Sequence, residues 1–249
     1  FEPPAWKTEL PGVGWSSPIV IGGRIWVTAS EPTALPDASL AAKLSEHKYG
    51  EEEFQTDASV KLLAIELDAA NGKLLRRIDL AELDDPTPIH VVNTYASPTP
   101  VSDGKRLYCH FGSLATVAVT LETGKVLWMK RLPVDDITGP ASSPVLCDDR
   151  LILVRDGSDK QYVVALDTAT GDVIWRRERP EIEVRDDRHR RGFSTPLVIQ
   201  VGQRTQVIAP AAQWVVSYDP SSGEEQWRAR FADGHAVVPR PVYANGVVF

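Results

Sequence analysis

The chain has 249 residues, 43% hydrophobic and 24% charged, the composition of a folded globular protein rather than a disordered one. Its 34 acidic residues outweigh 27 basic ones for a net charge of -7, which disfavours non-specific binding to a nucleic-acid backbone. No apolar run approaches the roughly 18 residues of a membrane-spanning helix, and two cysteines without CxxC spacing, Cys109 and Cys147, argue against a zinc ribbon or thioredoxin-like centre.

In chain order, residues 5–12, AWKTELPG, read as the end of a strand leading into the first repeated unit. Residues 15–27, WSSPIVIGGRIWV, then predict a hairpin: a strand opened by Ser-Pro, a glycine turn, and a second strand. Proline suits the first position of a strand because no ladder N–H is required there. An insertion over residues 31–59 separates this hairpin from its continuation. Within it, DASLAAKLSEH (37–47) has an Asp cap and helical apolar spacing, predicting a short surface helix, and GEEEF adds an acidic cluster. The insertion is either a solvated excursion or a partner-binding surface.

The remainder repeats two phrases about every 50 residues. One is a turn followed by a strand: AIELDAANGKLLR (64–76), VAVTLETGKVLW (117–128), VVALDTATGDVIW (163–175) and VSYDPSSGEEQW (216–227). The other is the Ser/Thr-Pro hairpin, again at 96–111, 141–154, 193–209 and 238–249. Two hairpins per unit make four short antiparallel strands, the size of one propeller blade, and such a blade must stack on neighbours to bury its faces. The turn glycines Gly72, Gly124, Gly171 and Gly223 supply a positive φ, and Asp167 and Asp219 are placed to cap turn amides. Trp128, Trp175 and Trp227 each bring an indole that buries roughly 150–250 Å² between sheets. The pattern predicts an all-β propeller of four-stranded antiparallel blades, about four full blades and part of a fifth in one domain, 1–249. A coincidentally repetitive β-sandwich is the weaker alternative, and a helical solenoid would need a 3.6-residue period that is missing.

Residues 165–175, ALDTATGDVIW, resemble the tryptophan-docking motif of the PQQ-type quinoprotein β-propellers, Ala-x-Asp-x-x-Thr-Gly-x-x-x-Trp. The fourth unit matches at Asp219, Gly223 and Trp227, and the second keeps Thr123, Gly124 and Trp128 but has Thr120 for Asp. The first ends in Arg76 in place of Trp, so its docking contact is made by an arginine or is absent. The likeness extends over nearly the whole chain and is nearest to PQQ-like-repeat, BamB-like proteins. It implies a propeller that normally closes seven or eight blades, so this chain is expected to be part of a longer one.

The resemblance implies two functions: a non-catalytic binding or assembly scaffold of the bacterial cell envelope, periplasmic or secreted, or a PQQ-dependent dehydrogenase. The enzymes carry a catalytic Asp, a Ca²⁺ held by carboxylate and amide oxygens, and often a disulfide between adjacent cysteines. Here Cys109 and Cys147 lie in different units, and whether they pair is open. Asn93, Asp135 and Asp136 are candidate oxygens that nothing marks as a set, so no cofactor is the favoured expectation. No G-x-S-x-G elbow supports a hydrolase.

Loops joining each outer strand to the next inner strand emerge on one face of a blade. They carry His90, Asn93, Tyr95, Asp135, Asp136, His189, Arg190, Arg191, His235 and Arg240, the candidate face for a protein partner or small ligand. Solvated loop residues bonding their own backbone are the plain alternative. A three-histidine metal site lacks ligand spacing. Carbohydrate recognition would need exposed aromatics such as Tyr95. RDDRHRRG (185–192) alternates in sign and is too short for a nucleic-acid footprint.

Overall fold

The computed structural model describes residues 3–36, 39–40, 42–43, 54–136, 138–231 and 236–249. These form two compact units, Phe1–Val126 with Ile137–Pro140, and Leu127–Asp136 with Ala141–Phe249. In chain order the strands begin β1 (Ile19–Ile21), β2 (Arg24–Ala34), β3 (Phe54–Gln55), β4 (Asp57–Asp68), β5 (Leu74–Asp84) and β6 (Ile89–His90). There follow β7 (Val101–Ser102), β8 (Arg106–His110), β9 (Thr116–Thr120) and β10 (Val126–Lys130). The third set is β11 (Val145–Cys147), β12 (Arg150–Asp156), β13 (Gln161–Asp167) and β14 (Val173–Glu178). The fourth is β15 (Leu197–Val201), β16 (Arg204–Pro210), β17 (Trp214–Tyr218) and β18 (Glu225–Arg230), before the hairpin β19 (Tyr243–Ala244) and β20 (Val247–Val248).

Four sheets of four strands result, ordered β1-β2-β4-β5, β7-β8-β9-β10, β11-β12-β13-β14 and β15-β16-β17-β18. The last three are meanders, as short turns between consecutive strands require, whereas in the first the insertion bearing β3 separates β2 from β4. The first sheet departs from the others in length. β2, β4 and β5 have 11, 12 and 11 residues, against five to seven for the second, third and fourth strands of the other sheets. The insertion is therefore shorter than its sequence boundaries imply, because Glu31–Ala34 and Asp57–Ser59 pair within the sheet. Of the expected helix at 37–47, Ser39, Leu40, Ala42 and Lys43 are helical, and the rest, with the acidic cluster at 51–53, lies outside the described residues.

Each unit has its own apolar core. In the first, Trp26, Leu62, Leu107, Phe111 and Val117 pack together; in the second, Ile152, Val163, Trp175, Val207 and Tyr218 do. Alternation along the middle strands aims these side chains at the facing sheet.

The turn-and-tryptophan phrase forms the joint between sheets. Trp128 lies against Gly171, where an added Cβ would fall 2.7 Å from the indole Cδ2, and its Nε1–H donates to Thr168 O at 3.1 Å. Trp175 repeats this on Gly223, with Nε1 to Pro220 O at 2.8 Å. Both glycines have φ near +75°, so side chains are excluded by backbone conformation and by the indole together. A bulge precedes Trp175 and Trp227: Ala165 pairs with Trp175 but Leu166 with Val173, and Ser217 with Trp227 but Tyr218 with Glu225.

The first sheet makes the joint differently. Arg76 pairs across the strand with buried Glu66 and reaches out to Leu121 O and Glu122 O, while Ile78 covers Gly124. Upstream, Trp6 covers Gly72, and Thr8 Oγ1 donates to Gly72 O at 2.5 Å. Trp227 is half-buried and its indole N–H goes to Gln206 Oε1 of its own sheet at 2.9 Å.

The Ser/Thr-Pro phrase forms a second joint between strand starts. Ser17 N–H donates to Thr99 Oγ1 and Ser143 N–H to Thr195 Oγ1, both at 3.0 Å. Ser142 Oγ donates to Ser194 O at 3.0 Å, and Ser194 Oγ to Pro239 O at 2.8 Å. Hydroxyls here satisfy main-chain groups that no ladder reaches.

Candidate functional site

In the third and fourth sheets the turns after β12 and β16 and the segments after β14 and β18 share one end of the blade, by the alternation of a meander. They bond one another and the segment that follows β10. Ser158 N–H donates to Asp135 O at 2.9 Å, Asp135 N–H to Asp159 Oδ1 at 2.7 Å, and Ser158 Oγ to Asp135 Oδ2 at 2.6 Å. Gln213 exchanges two hydrogen bonds of 2.9 Å with the Glu183 main chain. Gly192 bridges Asp156 on one side and Val237 on the other.

A buried ion pair anchors this end. The Arg179 guanidinium forks onto both oxygens of Asp156 at 3.0 and 2.9 Å, and their side chains are 1% and 0% exposed. Two further protons go to Ala209 O and Pro210 O at 2.9 and 3.1 Å, tying the segment after β14 to β16. Two parallel charge-assisted bonds plus two carbonyls give a buried guanidinium the partners its desolvation demands. Beside it, buried Arg155 donates through Nε to Leu132 O at 3.1 Å, and its Nη1 stands 4.0 Å from Asp136 Oδ2. Burial pushes the Asp136 carboxyl up to about 6, against the pull of Arg155 and Arg191.

The sequence-derived face is thus distributed over different roles. In the second unit, Asp135, Asp136 and Arg191 belong to the framework just described. Asp187 and Arg190 pair at 3.0 Å in a short 3-10 turn (Asp187–Arg190) capped by the Asp186 carboxylate. The hydrogen bonds from Arg188 hold the Asp186 carboxyl well below its usual range. His189 is half-buried in that turn, its N–H on Asp186 O, and Arg191 Nε bonds Arg188 O. Arg240 is exposed and lines an apolar cleft with Trp227, Phe231, Val237 and Phe249. His235 lies outside the described residues.

In the first unit the candidates are committed to structure. His90 pairs with Phe54 in the two-stranded β3-β6 ladder, meets its ring edge-on, and accepts Val92 N–H at Nδ1. Asn93 Nδ2 donates to Thr138 O and Pro140 O, while Oδ1 accepts from Thr94 N and Ser97 Oγ. Tyr95 is 2% exposed with its hydroxyl on Thr87 O, so it offers no stacking surface to a sugar.

Among the described residues no three His, Cys, Asp or Glu side chains gather as a metal-holding group. The oxygens considered for Ca²⁺ do not fit one. Asn93 Oδ1 already accepts two hydrogen bonds, Asp135 Oδ2 accepts Ser158, and Asp136 faces two guanidiniums that repel a cation. Cys109 and Cys147 are both free and buried, each thiol pushed up by burial.

Sequence reading missed Arg155, Asp156 and Arg179. The available signal was Arg-Asp closing the apolar run LILV of β12, since charges ending a buried strand need a partner.

Stacked four-stranded meanders with tryptophan joints define the quinoprotein-type class of β-propeller, here as four complete sheets followed by a hairpin. The family model described as "Outer membrane protein assembly factor BamB" matches residues 61–249, and the chain belongs to that family of PQQ-like repeats. BamB from Moraxella catarrhalis is similar in fold, at 16% identity and TM-score 0.50, over 77% of this chain and 51% of that one. Quinohemoprotein alcohol dehydrogenase from Comamonas testosteroni is similar at 13% identity and TM-score 0.55, over 95% and 39%. A europium-containing methanol dehydrogenase follows at 11% and 0.51, over 73% and 41%. This chain therefore spans about half the length of the BamB chain and about two fifths of each dehydrogenase. No curated protein is significantly similar in sequence. Among the described residues, no helix is long and apolar enough to cross a membrane.

Proposed function

We propose that the chain is part of a non-catalytic binding and assembly scaffold of the bacterial cell envelope, holding a protein partner at the loop end of its third and fourth sheets. One observation carries this: exposed charges such as Glu183 and Asp187 are mounted on a frame that the buried Asp156–Arg179 pair fixes. Pre-ordered side chains lose less entropy when a partner binds. Family membership supports an envelope setting.

A photo-crosslinking residue at Glu183 or Arg190, compared with Asp149 or Thr170 at the opposite end of the third sheet, tests it in the natural host. Crosslinks to one defined protein from the loop end alone support the scaffold. Equal labelling from both ends, or none, removes it.

The second function is quinone-dependent oxidation, favoured by the fold shared with the two dehydrogenases. Titrating PQQ into the protein with and without Ca²⁺, read by its seven tryptophans, decides it. Saturable, calcium-dependent quenching at micromolar PQQ would establish the cofactor and displace the scaffold.

A further inference from the structure

Asp136 is out of keeping with its surroundings. Its side chain is 11% exposed, yet the Arg155 Nη1 at 4.0 Å is too distant for a hydrogen bond, whereas Asp156 next door receives two. A carboxylate this enclosed, with no donor within hydrogen-bond distance among the described residues, is costly when charged. The groups facing it are Arg155 from β12, Arg191 after the 3-10 turn, Asp135 from its own loop and Asp159 from the β12-β13 turn. The two guanidiniums favour its charge and the two carboxylates oppose it. Its loop meanwhile closes on that turn through Ser158 N–H to Asp135 O, with Val134 packed on Gly157, and on β12 through Arg155 Nε to Leu132 O.

We propose that Asp136 is a proton-dependent latch on the Leu132–Asp136 loop: protonated, it seats the loop against β12, and charged, it drives the loop toward an open form in which the carboxylate meets water. The direction follows from linkage. Seated, the carboxyl holds its proton up to about pH 6, whereas in water it would lose it near 4. Seating is therefore strongest below pH 4 and weakens as pH rises to 6, after which it is constant. The two-unit separation limits the effect to about a hundredfold in the opening equilibrium. Regulation of partner binding by this latch rests on the scaffold function above, but the latch itself does not.

The test reads the loop directly. Amide exchange at Ser158, whose N–H is bonded to Asp135 O, is compared at pH 4.5 and 7.5 after correction for intrinsic exchange. Protection should fall by ten- to a hundredfold in the natural protein and stay level in Asp136→Asn. An equal fall in both proteins overturns the latch. A carboxyl ¹³C titration of the natural protein gives a second measure independent of the variant. An Asp136 midpoint near 6 supports the latch, and one below 4.5 overturns it. Crosslinking from Arg190 that fails while the exchange result holds would remove the scaffold and leave the latch in place.

Discussion

Arg76 donates to the carbonyl of Leu121, three residues before Gly124, which is where Trp128 and Trp175 place their indole N–H groups relative to Gly171 and Gly223. An arginine thus substitutes for a tryptophan by reaching the same main-chain acceptor. It needs help to do so: Glu66 opposite supplies a counter-charge, Arg76 stacks over Trp26 at 5.2 Å, and Ile78 covers the glycine.

Removing that arginine should leave Glu66 buried without its main partner. Arg76→Ala is expected to lower stability by about 2–4 kcal/mol, and Arg76→Ala with Glu66→Ala by clearly less than the sum of the two single changes. Denaturant unfolding of the three variants measures the coupling.

The indole joint should be costlier still to break. Trp175→Ala, at a site 5% exposed, is expected to cost about 3–5 kcal/mol. Trp175→Phe keeps much of the area and loses the bond to Pro220 O, for about 1–2 kcal/mol. Similar losses in the two variants would mean that the hydrogen bond, not burial, holds the joint.

Two glycines with positive φ separate strain from overlap. Gly223 (φ +72°) lies under Trp175, whereas Gly104 (φ +85°) has nothing within 4 Å of an added Cβ. Gly104→Ala should cost about 1 kcal/mol from backbone strain, and Gly223→Ala at least about 2 kcal/mol more, since the Cβ would fall 2.6 Å from the indole. Melting temperatures of the pair check the order.

The pH profile of stability carries a sign set by Asp136. Its carboxyl is raised to about 6 in the fold, so its contribution is full below about pH 4 and is lost as pH climbs through 6. Asp136→Asn should therefore be as stable as the natural protein or more so at pH 7.5, by no more than about 3 kcal/mol, and the gain should vanish at pH 4. Denaturation at the two pH values gives both numbers.

The joints were legible because they repeat. A glycine and a tryptophan four residues apart, recurring at a fixed step, need no tertiary knowledge to be seen. Trp6 over Gly72 was harder, since residues 6–11 (WKTELP) match 128–133 (WMKRLP) only at the Trp, Leu and Pro, with no turn glycine ahead of the tryptophan. The Ser/Thr-Pro phrase was legible as a strand start, but Thr99 and Thr195 accepting bonds from Ser17 and Ser143 depend on which strands become neighbours. The loop face was least legible. Asn93 and Tyr95 have the composition of a binding site, yet their polar atoms close the local fold, and only three-dimensional bond accounting shows it. Arg179 and Asp156, 23 residues apart in sequence, escaped for the same reason.

The three turn joints, made by Trp128, Trp175 and Arg76, grip main-chain features of the next turn: a glycine with no side chain and a carbonyl three residues earlier. None depends on matching a particular neighbouring side chain. Such a connector is generic, so one repeat can mutate, be duplicated or be exchanged without retuning the one beside it. A chain whose units share so few identical residues can still assemble in order because the mating surface is written in backbone.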